Sequence, residues 1–478
     1  MTGPRLALAF LAVAAALAGC SPVSGGPGAG PAAVEAVGAP VTAEVVRSGN
    51  GWTVTYRFPR AAPVWAFIRS APVAGTGESW RGRSWTVETP GVRLERIGRY
   101  DALVADGGNV PSVVRIRFRP FTDELATDYV PAHALTDGTI ALFDDHFAIF
   151  SAASREVVPA LPADLQGQPI ADTGTRVTFR DTTGAMLHAG RRHRVLTLQN
   201  SSSYVFFNAR NPVEGQAFAA MIDPQLPAWL AASLRDMVPA ILGRYAAHLG
   251  PAPGGRPMLL ASWAGPTAGR ASMNGGVVTG TVLMRFEGEG VVAESRPMRD
   301  LARWFIAHES AHFWLGQAIS YERGRDAWIT EGGADLLAVR TVQALDPQYD
   351  WRRQLNRSIG ECVALSRGRG IASAEDRGEH RAYYACGALF GLLVERKSGR
   401  PFSAFIRTLI DRNRADRVLT RQEWLDEARA VTRDAALIAW IERMLDRGLE
   451  DPAASIAAML ERTGIRFTRG DNGAIQLH

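Results

Sequence analysis

The chain has 478 residues, 46% of them apolar and 21% charged, which is long enough for several folded domains. Its formal net charge is +5 and its pI is near 9.3. The basic residues are dispersed arginines, with Lys397 the only lysine. The densest cluster, Arg191-Arg192-His193-Arg194, reads as a solvated turn, and nothing resembles a nucleic-acid module, so no nucleic acid is expected among the partners.

In chain order, Arg5 precedes an apolar run from Leu6 to Leu17, closed by Leu17-Ala18-Gly19-Cys20. The run is shorter than the roughly 20 residues needed to span a bilayer and reads as a cleaved leader over 1–20. It looks like a bacterial lipoprotein signal in which Cys20 becomes the lipidated first residue; the alternative is an ordinary secretory leader with Cys20 incidental. Ser21 after the cysteine points to the outer membrane, facing the periplasm. Membrane contact is therefore expected through Cys20. Residues 21–40, rich in Gly, Pro, Ala and Ser, read as a flexible tether.

Residues 41–195 alternate as strands do, over Gly51–Phe58, Val113–Phe118, Thr139–Phe143 and Arg176–Phe179, with turn residues between. A β-rich, sandwich-like domain is expected there. Asp144-Asp145-His146 is its one polar knot, and turn chemistry is preferred to a metal site. From about 196 the periodicity changes. A helix is predicted over Leu226–Leu249, a strand over Pro257–Trp263 and an edge strand over Val277–Phe286 that could hold an extended peptide by strand addition. Helical segments fill 401–478, among them Phe402–Ile410 and a long helix opened by the capping-box pattern Thr420-Arg421-Gln422-Glu423 and running through Ala435.

The chemistry is concentrated in His308-Glu309-Ser310-Ala311-His312 and in Glu331, nineteen residues further on. Residues four apart share a helix face, so the two imidazoles can converge on one ion. Glu309 is rotated about 100° from His308 and falls beside that ion, where a general base belongs. Pro297 suits a first helical turn, and Gly316 a stop. A second helix, starting near a capping Thr330, would offer Glu331 as third ligand to one Zn2+ per chain, leaving the fourth tetrahedral position for water. Asp335, one turn beyond Glu331, is placed to accept a hydrogen bond from a ligand imidazole; the alternative is a solvated carboxylate. Cys362 and Cys386 are read equally as a disulfide or as two buried thiols.

The run His308–Gly316 resembles the His-Glu-x-x-His-x-Trp-x-Gly signature of the aminopeptidase N family of gluzincins, and Trp328–Gly332 its Trp-x-x-Glu-Gly segment. The glycyl-aminopeptidase relatives are an equal match. Tyr384-Ala385-Cys386-Gly387 resembles the family's Tyr-x-x-Gly element. The resemblance implies an α+β protein with a thermolysin-like zinc domain over 196–400 and a short helical region over 401–478. It also implies a peptide or protein substrate and an oxyanion contact from Tyr384. The family's Gly-x-Met-x-Asn strand is nearest to Gly269–Gly276, which makes Met273, Asn274, Gly275 and Gly276 the expected substrate-binding residues. Asn274, or a gap, stands where the family's glutamate grips a free amino group. A neutral amide forfeits that charge-assisted bond, worth about 2–3 kcal/mol, so amide hydrolysis is better supported than N-terminal trimming. The readings from other classes are a non-catalytic envelope lipoprotein with a peptidase fold, and a zinc hydrolase acting on a non-peptide substrate.

Overall fold

Apolar residues at every second position, Ala43 and Val45, then Trp52, Val54 and Tyr56, give Thr42–Ser48 and Gly51–Arg57 one buried face each and pair them antiparallel. In the computed structural model, these two strands lie at the centre of a six-stranded sheet. Its order is Val195–Gln199, Arg176–Asp181, Thr42–Ser48, Gly51–Arg57, Val113–Phe118, Trp85–Val87. The structure describes residues 40–478 apart from 127, 163–164, 166–167, 169, 211, 215–217, 254–256 and 471–472. The leader, nearly all of the tether and Cys20 therefore lie outside the described residues.

A four-stranded sheet (Ile149–Ala152, Val64–Phe67, Tyr100–Ala105, Val92–Ile97) and a five-stranded sheet share an aromatic core with the first. The five-stranded sheet includes Ile140–Phe143 and draws in Tyr204–Phe207, beyond residue 195. Arg191–His193 forms its edge strand rather than the expected turn, pairing with Met186–His188. Asp144–Phe147 is a single 3-10 turn.

A second five-stranded sheet carries the part of the chain that matters for chemistry. Its order is Val213–Glu214, Ala219–Ile222, Met258–Trp263, Thr281–Glu287, Ser272–Val278. The strand expected over Val277–Phe286 is a hairpin instead. Gly280 takes φ +68°, and the two-residue Thr279-Gly280 turn folds Ser272–Val278 back along Thr281–Glu287 as the antiparallel edge. One face meets the N-terminal sheets through Phe143, Phe206, Leu260 and Leu283. The other packs on helices Ala228–Leu249 and Arg296–Ala311 in the largest core, where each buried Leu or Phe contributes about 1.5–3 kcal/mol.

Helices Trp328–Leu345, Trp351–Leu365 and Arg381–Ser398 complete that core. Cys362 and Cys386, left open by spacing, are joined in a disulfide that ties the last two together. Beyond them, Arg421–Thr432 begins on the expected capping box at Thr420 and Glu423. It does not run through Ala435. Arg433 turns left-handed at φ +51°, and Asp434 caps a separate helix, Ala435–Asp446, by accepting the Leu437 N–H. The C-terminal region is not wholly helical either: Phe467–Arg469 and Ile475–Leu477 pair as a short hairpin. The architecture is α+β, and no helix among the described residues is long and apolar enough to cross a membrane.

Candidate metal centre

Helix Arg296–Ala311 starts at Ser295, whose hydroxyl accepts the Met298 N–H, with Pro297 in the first turn as expected. Ala302, Phe305 and Ile306 bury its inner face, and the Tyr245 hydroxyl donates to the Ala307 carbonyl at 2.9 Å. His308 lies in the last turn. The helix ends at Ala311, before the expected stop at Gly316, so His312 occupies the cap in right-handed helical conformation and keeps the four-residue alignment. A turn follows in which Trp314 donates its indole N–H to the Gly250 carbonyl at 2.8 Å.

Glu331 enters from the first turn of Trp328–Leu345. Thr330 does not cap that helix: its hydroxyl donates back to the Ala327 carbonyl, and Ala327 holds the cap position. Nε2 of His308 and Nε2 of His312 are 3.2 Å apart, and Oε2 of Glu331 lies 3.5 and 3.4 Å from them. Four ligands at the 2.0–2.1 Å typical of tetrahedral zinc would be separated by about 3.3 Å. The three side chains thus outline one face of such a tetrahedron. Among the described residues they are the one group of three such side chains within common reach of an ion. Among the described residues, Glu331 Oε2 is buried and has no hydrogen-bond partner, as an atom facing a cation would.

Both imidazoles are turned by their outer nitrogens. Nδ1 of His308 is 2.8 Å from Oδ1 of Asp335, the contact expected from spacing. Nδ1 of His312 is 2.8 Å from the Leu315 carbonyl, which spacing did not reveal. With the His312 Nδ1–H donated to that carbonyl and His308 Nδ1 at ion-pair distance from Asp335, each Nε2 is presented inward.

Three carboxylates set around two imidazoles govern the electrostatics of the site. Burial opposes protonation of His308, but Asp335 and Glu331 outweigh it and lift the ring to about 10. His312 is likewise raised, Glu331 overcoming its burial. Glu331 is held well below the usual carboxylate range by the two imidazoles, against its own burial. Glu309 moves the other way: burial raises it, and the pull of His308 and His312 does not compensate. Its Oε2 is buried without a hydrogen-bond partner among the described residues.

Tyr384, on helix Arg381–Ser398, stacks its ring on His308 with centroids 5.6 Å apart and planes at 21°. Tyr383 points elsewhere, its hydroxyl accepting the Glu375 N–H. One residue missed in the sequence is Arg381, one turn before Tyr384. Its guanidinium lies 5.0 Å from the tyrosine ring centre and pairs with Glu361. The spacing of three to Tyr384 was the available signal.

The expected substrate-binding residues occupy the edge strand Ser272–Val278. Met273 is buried in the core shared with the metal helices. Asn274 is half-buried and lies in register with Arg285 on the neighbouring strand. Gly275 abuts the base: a Cβ there would lie 2.6 Å from Cδ of Glu309. Gly276 faces the other way, under Tyr129.

No family model matches the chain, and no curated protein matches it. Solved structures do. An aminopeptidase N family protein from Idiomarina loihiensis overlays 90% of this chain and 79% of its own, with a TM-score of 0.62 at 10% identity. Native leukotriene A4 hydrolase from Saccharomyces cerevisiae gives 0.49 at 12% identity, covering 86% of this chain and 68% of its own. An M1 zinc metallopeptidase from Deinococcus radiodurans, bound to a Tyr-Ser-Ala substrate, gives 0.44 at 13%, covering 86% and 93%. Fold and site together define an α+β protein with two histidines and a glutamate grouped for one metal ion. Its fold is that of the Idiomarina aminopeptidase N family structure.

Proposed function

We propose that this chain is a zinc-dependent metallopeptidase, holding one Zn2+ through His308, His312 and Glu331. The triangle of ligand atoms, with sides of 3.2, 3.4 and 3.5 Å, carries the reading. When bound, zinc supplies Lewis acidity and a water of lowered pKa. Glu309 accepts the proton of the attacking water and releases one to the leaving amine. Its raised pKa suits a group that must do both. Tyr384 donates a hydrogen bond to the developing oxyanion. The edge strand Ser272–Val278 receives the peptide by strand addition.

Asn274 can hydrogen-bond a substrate but cannot neutralise an ammonium, so a free N-terminus is not required. In this reading, the thermolysin-like unit spans 196–400, behind a β-sandwich-like domain at 41–195 and beside the helical region 401–478. A lipid on Cys20 tethers the enzyme to the outer membrane on its periplasmic side. The test combines metal analysis with two peptides identical except for a free or acetylated N-terminus. One zinc per chain and cleavage of both peptides is the expected result. Stoichiometric zinc with neither peptide cleaved would replace this reading by a binding lipoprotein or a non-peptide hydrolase.

A further inference from the structure

The edge strand that lies against Glu309 is held by a part of the chain far from the metal motif. Tyr129 donates its hydroxyl to the Val277 carbonyl at 2.9 Å, across 148 positions of sequence. Its ring lies so close to Gly276 that a Cβ there would stand 3.1 Å from Cε1. Successive strand residues face opposite sides of a sheet. Gly275 therefore meets Glu309 on one side while Gly276 meets Tyr129 on the other, and each glycine makes room for its visitor.

Tyr129 is itself fixed by the polar knot that the metal site does not use. Its carbonyl is 2.8 Å from Nε2 of His146, and its N–H donates to Oδ1 of Asp128 at 2.8 Å. Arg69 pairs with Asp128 at 2.7 Å and with Asp145 at 3.0 Å. Asp145 accepts the Ser202 hydroxyl at 2.6 Å, and the Ser202 carbonyl accepts the Thr279 N–H at 3.0 Å, at the hairpin turn. The N-terminal sheets thus grip the hairpin at Val277 and again at Thr279. From the metal side, Gln317 takes the Gly280 N–H at 3.1 Å and donates to the Val278 carbonyl at 2.9 Å.

We infer that Tyr129 is a positioning residue that sets the edge strand at the height needed to receive a peptide beside Glu309. The inference rests on the peptidase reading for its kinetic consequence. Helix Arg296–Ala311 is anchored separately, through Ser295 and Tyr245, so loosening the strand should weaken peptide binding while leaving the base and the metal in place.

Tyr129→Phe keeps the ring and removes the hydrogen bond. Tyr100→Phe, which removes a comparable tyrosine–carbonyl bond to Pro162 away from the site, is the control. Tyr129→Phe should raise KM for a peptide about fivefold, the worth of one neutral hydrogen bond. It should leave kcat within about twofold and zinc at one per chain, while Tyr100→Phe leaves KM unchanged. Amides of residues 272–278 should also exchange hydrogen faster in Tyr129→Phe than in the wild type. An unchanged KM, or kinetics that move equally in the control, would overturn the inference. If the wild type cleaves no peptide, the peptidase reading fails and hydrogen exchange decides alone, with unchanged protection over 272–278 counting against Tyr129.

Discussion

Oε2 of Glu331, set between two imidazole nitrogens, groups His308 and His312 with a carboxylate in an arrangement that fits a metal ion. The site surrounds two rings with the carboxylates of Glu309, Glu331 and Asp335, and both rings are raised above their ordinary value. His308, lifted to about 10, therefore holds a proton near pH 7 that a metal must displace. Titrating zinc into the metal-free protein in buffers of different ionisation enthalpy should show release of at least one proton per zinc. Apparent affinity should fall as pH falls, because protonation of a raised histidine competes with binding. In the proposed mechanism Tyr384→Phe removes the oxyanion donor, and it should lower kcat by about 10²–10³ with little change in KM, measured at saturating zinc. At this scale the sequence was informative wherever the contact is local. The four-residue spacing gave His308 and His312, and Asp335 followed from its place one turn beyond Glu331. The Leu315 carbonyl at His312 is a main-chain atom whose position depends on where the helix stops, and Tyr129 reaches the site only through the tertiary fold.

Two helices bring Glu331 and Tyr384 to the same His308 ring, and a pair of glycines sets how closely they cross. A Cβ on Gly332 would lie 2.3 Å from the backbone of Gly387, and one on Gly387 would lie 2.3 Å from the Trp328 carbonyl. Both obstacles are main chain, so the helices would have to separate. Gly332→Ala should cost about 2–3 kcal/mol in urea unfolding, at the upper end for overpacking; an unchanged midpoint would mean that the crossing is not fixed there. The Cys362–Cys386 disulfide fastens the Tyr384 helix to its neighbour across 24 residues. Closing a loop of that length stabilises by about 3 kcal/mol in the chain-entropy view. Replacing both cysteines by serine should lower stability by about that amount while zinc stays bound. Element types were legible where periodicity was strong, as in Val113–Phe118 and Ala228–Leu249. Boundaries were not. The Thr279-Gly280 turn lay inside an apolar, β-branched stretch and read as one strand, and the break at Arg433 was hidden because Ala435 continued the apolar spacing.

At the scale of the molecule, three of the four hydrophobic cores among the described residues follow one another, the fourth lying around Tyr100 and Phe150. The aromatic core of the N-terminal sheets adjoins the interface around Phe143 and Phe206, which adjoins the large core around the metal helices. Composition and alternation could indicate a β-rich part followed by a mixed one. They could not indicate that Tyr204–Phe207 returns to the N-terminal sheets, since strand partners are chosen across long separations. The likeness to the Idiomarina structure spans 90% of this chain at 10% identity. At that distance the shape is retained while the residues that give it have changed, so function has to be argued from the site. In the proposed enzyme the whole assembly presents one zinc ion with Glu309 beside it as the base. Zinc content and peptide turnover of Glu309→Gln, measured on one preparation, test it most directly. We predict one zinc per chain and turnover reduced by about 10²–10⁴; a zinc-loaded variant that still turns over at the wild-type rate would contradict it.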